Sequence, residues 1–339
     1  MEGQARYSIA VLGGGSWGTA LAALLADKGH QVAMWELFPE RAQALDRDRE
    51  NRAMLPGIRI PREVVITSDM GKTLAGSDHT LLVVPSHGMR ETAKQAASHH
   101  KDGRLVTIAT KGLEEGTLKR MSQVAQEGLG VEPGRIGVLV GPSHAEEVSR
   151  NLPTTVVASS TNQSTAETIQ EIFMTPTFRV YTNNDVVGVE IGVALKNVVA
   201  IAAGICDGLG FGDNTKGALL TRGLAEITRL GVKMGARQET FSGLAGIGDL
   251  ITTCISRHSR NRHVGEELAK GKTLDQVLAG MVMVAEGVKT TRSAVKLAAE
   301  YGVEMPIASE VHAILFEAKP PKQAIKDLMI RTRKPEVWW

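Results

Sequence analysis

Runs of β-branched and aliphatic residues recur through the first half of the chain, at 8–12, 31–35, 64–67, 80–84, 105–110, 136–140, 155–159 and 178–181. Stretches of helical composition separate them, and that alternation predicts a mostly parallel sheet of about eight strands covered by helices. From residue 185 onward the β-rich runs stop. Segments 186–206, 215–234, 239–256, 260–270 and 288–301 carry helical composition or spacing, so an all-helical second part is predicted. No fixed-period repeat and no Pro-, Gly- or Ser-rich linker interrupts the chain. The expectation is an α/β domain over residues 1–185 and a helical domain over 186–339, meeting at a close-packed junction with a cleft between them.

Length supports this division, because 339 residues exceed what one ordinary core accommodates. Hydrophobic content of 42% against 22% charged residues is that of a folded chain. The 36 glycines are an excess that points to tight turns and close backbone approaches. Lys and Arg (39) nearly balance Asp and Glu (37), leaving a formal charge of +2 and no field suited to gripping nucleic acid. The two cysteines, Cys206 and Cys254, make no disulfide framework and have no zinc-site spacing, so no metal and a reduced compartment are expected. The N-terminal residues lack a basic start and cleavage pattern, which points to the cytoplasm. The longest apolar run, 191–206, is short for a membrane span and contains Lys196 and Asn197; a buried helix is expected there, not an integral membrane segment.

Directly after the first strand stands Gly13-Gly14-Gly15-Ser16-Trp17-Gly18, followed by a helical stretch. This is G-x-G-x-x-G in the setting that dinucleotide binding requires. Gly13 makes the tight turn, Gly15 lets backbone approach a pyrophosphate, and Gly18 lets the helix pack on the strand. Glu36 closes the second strand where an acidic side chain reads the ribose hydroxyls of NAD; a solvated charge at a strand end is the plainer reading. Ligands of open parallel sheets lie beyond the carboxyl ends of the strands, which gives Lys111 and the Gly141-Pro142-Ser143 turn a privileged position.

In the helical half, Lys196 and Asn197 interrupt an apolar helix, where an unpaired ammonium is costly. The protein must use or neutralise it. Asp249 offers a partner, and Arg260 and Asn261 offer a planar fork and amide donors for an anion; read alone, these last stretches also fit a capped helix start with solvated charges.

Together the fingerprint, Ala109-Thr110-Lys111-Gly112-Leu113-Glu114, Gly141-Pro142-Ser143-His144-Ala145, Leu195-Lys196-Asn197-Val198, Gly248-Asp249-Leu250 and Ser259-Arg260-Asn261-Arg262 resemble the bacterial glycerol-3-phosphate dehydrogenases. The match runs from about residue 8 to about residue 310, with six motifs in order. The resemblance implies a Rossmann-type N-terminal domain and a helical, 6-phosphogluconate-dehydrogenase-like substrate domain. It also implies interconversion of dihydroxyacetone phosphate and glycerol 3-phosphate with NAD(H) or NADP(H), in a homodimer that supplies glycerol phosphate for phospholipids. By position, Lys196 is implied as proton donor and acceptor, with Lys111, Asn197, Asp249 and Thr253 around the reacting carbon. Ser259, Arg260 and Asn261 are implied at the substrate phosphate, and Gly141 and Ser143 at the opposite wall. Ser16, Trp17, Ala145, Arg260, Val284 and Glu286, with Lys111, are implied as cofactor contacts. Glu36-Leu37 departs from the small-then-basic pair that NADP-using relatives often carry.

Two other readings compete. A dehydrogenase of the 6-phosphogluconate or 3-hydroxyacid type also uses a helix lysine, but with its asparagine one turn away, whereas Lys196 and Asn197 are adjacent. An NADH-sensing regulator needs only the first domain and leaves Lys111, Lys196 and Arg260 without a purpose.

Overall fold

The computed structural model describes residues 5–101 and 103–336; the extreme ends of the two expected domains, residues 1–4 and 337–339, and residue 102 lie outside the description. The chain divides into two compact units, Met1–Lys111 with Lys119–Val186, and Gly112–Leu118 with Val187–Trp339. The short segment Gly112–Leu118, expected with the first domain, therefore belongs to the second unit.

Among the described residues the first unit holds ten strands: β1 (Ser8–Leu12), β2 (Gln31–Trp35), β3 (Glu50–Asn51), β4 (Leu55–Arg59), β5 (Val65–Thr67), β6 (His79–Leu82), β7 (Leu105–Ile108), β8 (Ile136–Val140), β9 (Thr154–Ser159) and β10 (Phe178–Asn183). Eight form one sheet in the order β10-β9-β8-β7-β6-β1-β2-β5. The order reverses at β1, between β6 and β2, and the glycine turn leaves β1 at that switch point, where such sheets bind ligands. All neighbours are parallel except β8 and β9, which run antiparallel. A separate antiparallel ribbon, β3 with β4, was not foreseen; two-residue β3 is too short to leave a pattern.

The second unit is all-helical among the described residues. Its centre is the helix Val186–Gly208, buried from Gly188 to Cys206. That helix is long and apolar enough to cross a membrane by composition, with mean hydropathy 1.9, yet 89% of its apolar window is buried within the structure. It serves as a core helix. Leu113 and Leu118 from the inserted segment join the same apolar core.

One expected helix is not continuous. The stretch 239–256 resolves into Gln238–Phe241, a wide π-type turn Leu244–Gly248 with non-helical Gly246, and Asp249–Ile255. The break falls at Gly246, whose φ of −101° and ψ of −105° are non-helical, and only glycine fits there, since a Cβ would stand 2.0 Å from the Phe241 carbonyl oxygen. Among the described residues three further helices of this unit, Leu274–Ala279, Pro306–Phe316 and Pro321–Met329, lie outside the predicted set, the last two each beginning at a proline whose missing N–H is harmless at a first position.

Candidate active site

In the first unit the fingerprint glycines are required by space. Gly13 has φ +129°, and a Cβ there would meet the Val83 carbonyl oxygen at 2.7 Å. A Cβ on Gly18 would lie 1.9 Å from the Gly13 carbonyl oxygen, so the helix Ser16–Asp27 could not close on the turn. Around Gly15, in contrast, nothing lies within 4 Å of a Cβ position, which leaves its backbone open to a ligand. Closed turn, open Gly15 and a helix N-terminus at Ser16 together fit a dinucleotide pyrophosphate.

Glu36 is buried and turned into this turn: its Oε2 would be 2.5 Å from a Cβ on Gly14. The Phe38 N–H donates to its Oε1 at 3.3 Å, and Arg41 Nη2 stands 3.5 Å from its Oε2. Asn51, on the ribbon, donates through Nδ2 to the Gly14 carbonyl and to Thr19 Oγ1, each at 3.0 Å. Neither Arg41 at this carboxylate nor Asn51 under the turn was among the expected site residues; Asn51 reaches the turn from more than thirty residues away, with no local motif. Trp17 is half-buried beside Ala20, Leu55 and Ala145, the last opening the short helix Ala145–Val148.

At the next strand ends, Lys111 Nζ donates to the Gly141 carbonyl at 2.8 Å, and Ser143 Oγ donates to the same oxygen at 3.1 Å. Gly141 has φ +145°, and a Cβ would crowd Val156 Cα at 3.0 Å. The structure thus brings Lys111, Gly141 and Ser143 together, with the Gly141 carbonyl as their common acceptor.

The second unit carries the other cluster. Lys196, only 4% exposed, donates through Nζ to Asp249 Oδ1 at 2.6 Å and to Thr253 Oγ1. Asp249 is 1% exposed and heads the helix Asp249–Ile255, with Thr253 one turn on, so both side chains share a face. The ammonium buried in the apolar helix is thus neutralised by a carboxylate and hydrogen-bonded by a hydroxyl, as its burial demands. Neighbouring Cys254 is no rival nucleophile: burial pushes its thiol up to about 12.

The helix Arg260–Ala269 packs on the central helix through two glycines: a Cβ on Gly204 would be 1.8 Å from the Arg262 carbonyl oxygen, and one on Gly265 would be 2.0 Å from that of Ile201. This contact carries Asn261 to Asn197, with Asn261 Nδ2 donating to Asn197 Oδ1 at 2.9 Å. Ser259 caps the helix, its Oγ accepting from the Arg262 N–H at 3.2 Å. Arg260 is exposed, and its Nη1 donates to the Val284 carbonyl at 2.8 Å; Glu286 begins the helix Glu286–Glu300 just beyond. Gly287, absent from the expected site residues, donates its N–H to Asn261 Oδ1 at 2.9 Å. Among the described residues no three His, Cys, Asp or Glu side chains are grouped to hold a metal.

Comparisons with known proteins follow the same division. Residues 8–166 match the family model described as the N-terminus of NAD-dependent glycerol-3-phosphate dehydrogenase, and residues 185–326 match the model of its C-terminus. The chain is 54% identical over 330 residues to a glycerol-3-phosphate dehydrogenase [NAD(P)+] of Prosthecochloris aestuarii, covering 97% of this chain and 99% of that one. It is 52% identical to a protein of the same description from Moorella thermoacetica, covering 98% of each chain. Among solved structures it is similar to a glycerol-3-phosphate dehydrogenase from Coxiella burnetii, with 38% identity, a TM-score of 0.92, and coverage of 96% of this chain and 99% of that one. A ketopantoate reductase from Ralstonia eutropha, 16% identical with a TM-score of 0.61, covers 95% of this chain and all of that one, and shares the fold.

Proposed function

The chain belongs to the NAD-dependent glycerol-3-phosphate dehydrogenase family, and from that premise we propose that Lys196, held by Asp249 and Thr253, is the proton donor and acceptor of its reaction. The enzyme interconverts dihydroxyacetone phosphate and sn-glycerol 3-phosphate, using NAD(P)H. The observation that carries the assignment is the buried Lys196–Asp249 contact within an otherwise apolar helix.

Reduction of the ketone requires a proton at oxygen, and the charge developing there must be stabilised. The glycine turn, with Glu36 toward the ribose and Ser16, Trp17, Ala145, Val284 and Glu286 as further contacts, would hold the reduced dinucleotide, which would supply the hydride. Lys196 delivers its proton to the carbonyl oxygen and recovers one afterwards. Asp249 keeps the ammonium fixed in place and favours its charged form, while Thr253 constrains the direction of its N–H bonds. Lys111, oriented by the Gly141 carbonyl with Ser143 beside it, adds positive charge near the reacting oxygen. Ser259, Arg260 and Asn261 take the substrate phosphate, so that binding energy remote from the carbonyl is spent on alignment. In this assignment residues 1–185 form the cofactor domain and 186–339 the substrate domain.

The enzyme works as a homodimer in the cytoplasm and supplies glycerol 3-phosphate for phospholipid synthesis; membership of the family supports this, and sedimentation tests the dimer. Oxidation of NADH with dihydroxyacetone phosphate, compared between wild type and Lys196→Ala, tests the catalytic assignment. Undiminished turnover in the variant removes Lys196 from that role.

A further inference from the structure

An asparagine side chain is nearly symmetric in shape, so which end offers N–H and which offers C=O is decided by its partners. At Asn261 that decision is made by the main chain. The Gly287 N–H can only donate, and it meets Asn261 Oδ1 at 2.9 Å. The opposite end of Asn261 is therefore Nδ2, which can only donate and which meets Asn197 Oδ1 at 2.9 Å. Asn197 in turn must present its Nδ2 away from this chain of bonds. Both amides are buried, and Asn197 Nδ2 donates to no other described residue.

We propose that Gly287 is a positioning residue that sets the polarity of this relay, so that Asn197 and Asn261 offer amide N–H groups, never amide oxygens, to the substrate. The proposal rests on the reading of both asparagines as substrate contacts. Its chemical sense is direct: a phosphate dianion and a carbonyl oxygen gathering negative charge both need donors, and a flipped amide would oppose them with a lone pair. Residue 287 must also be glycine for the contact to form. A Cβ there would stand 2.7 Å from the Asn197 carbonyl oxygen and 2.8 Å from Asn261 Oδ1, closer than side-chain carbons approach such atoms. The relay spans three helices, Val186–Gly208, Arg260–Ala269 and Glu286–Glu300, and so ties the amide directions to the packing of the unit.

The test uses the full-length enzyme and kcat/KM for dihydroxyacetone phosphate at saturating NADH. Asn197→Asp keeps an oxygen to accept from Asn261 and replaces the outward Nδ2 by a second acceptor. We expect Asn197→Ala to lose about tenfold and Asn197→Asp to lose about 100-fold or more, the misplaced acceptor being worse than no group. Gly287→Ala should raise KM about tenfold in the wild-type background but less than about twofold when Asn261 is already alanine, as coupled residues require. Asn197→Asp within about threefold of wild type, alongside a damaged Asn197→Ala, would mean that the oxygen faces the substrate and would overturn the relay. Equal, multiplying losses for Gly287→Ala in both backgrounds would reduce Gly287 to a packing residue. A harmless Asn197→Ala would remove the reading on which the relay rests, and the relay with it. Should Gly287→Ala fail to fold, the order of the two Asn197 variants still decides.

Discussion

Gly192 lies one turn before Lys196 on the same face of the helix Val186–Gly208, and its missing side chain lets that helix approach the Ala245 carbonyl so closely that a Cβ would stand 2.5 Å away. The approach sets the distance across which Lys196 reaches Asp249. Gly192→Ala should therefore cost about 1–3 kcal/mol of stability through overpacking and lower turnover as well. Thermal melts and steady-state kinetics check this; a variant less stable but with unchanged kcat would show that the helix spacing does not govern the catalytic pair.

Lys196→Ala should lower kcat by about 100-fold or more, the usual scale for a positioned general acid. NADH affinity, measured by fluorescence titration, should stay within a few fold. Loss of binding and of turnover in parallel would point to a structural lysine.

Arg260→Ala should weaken dihydroxyacetone phosphate binding by about 2 kcal/mol, as expected for a lost charge-assisted contact, and barely change the poor reaction of unphosphorylated dihydroxyacetone. Since Arg260 is exposed, with its Nη1 donating to the Val284 carbonyl at the surface, its removal leaves the core intact. Equal losses for both substrates would assign Arg260 to the cofactor.

Coenzyme choice should follow the carboxylate beside Gly14. Glu36 disfavours a 2′-phosphate, while Arg41, 3.5 Å from it, softens the repulsion, so a net preference of about tenfold for NADH is expected, or about 1.4 kcal/mol. Glu36→Ala should shrink that ratio, and Arg41→Ala should widen it. The comparison is kcat/KM with both reduced coenzymes; ratios that ignore both substitutions would place the ribose elsewhere.

Stability should depend on pH through Glu226, whose carboxylate accepts from the Ile307 and Ala308 N–H groups at the start of the helix Pro306–Phe316. Burial pushes this carboxyl up from 4.5 to about 7, against the pull of those N–H groups and of Arg229. The folded state thus holds a proton that the unfolded chain gives up. Its stabilising effect is complete below the unfolded pKa and is lost as the pH rises through about 7, amounting to at most about 3 kcal/mol. Calorimetric Tm should fall from pH 5 to pH 8 more steeply in wild type than in Glu226→Gln. Parallel slopes would clear Glu226 of the effect.

Much of this was readable along the chain, and the gaps have physical causes. The eight runs of the large sheet are visible because each strand must be apolar to lie under helices, but an apolar run carries no direction, so the antiparallel β8–β9 pair could not be read. Segment 239–256 has helical composition throughout, and the break comes from a non-helical backbone conformation at Gly246, which composition does not encode. Pro306 and Pro321 open helices from the first helical position, a start signal that the sequence does carry. In the site, Lys196 announced itself, since an ammonium in an apolar helix demands a partner. Asn51 and Gly287 gave no such signal: they act on groups distant in sequence, and an isolated Asn or Gly fits many surroundings.

The inserted segment Gly112–Leu118 makes the helical unit discontinuous in the chain. A fragment beginning at residue 187 would lack Leu113 and Leu118, both buried in its core, and the pairing of Glu115 with Arg292 at 3.4 Å. During synthesis this segment emerges before any of the helices it packs among, so it must wait, unsatisfied, while the 68 residues of Lys119–Val186 follow. Neither a simple cut nor a swap of the two halves at residue 186 would then yield independent modules, and shuffling this unit between relatives requires carrying the seven-residue segment along with it.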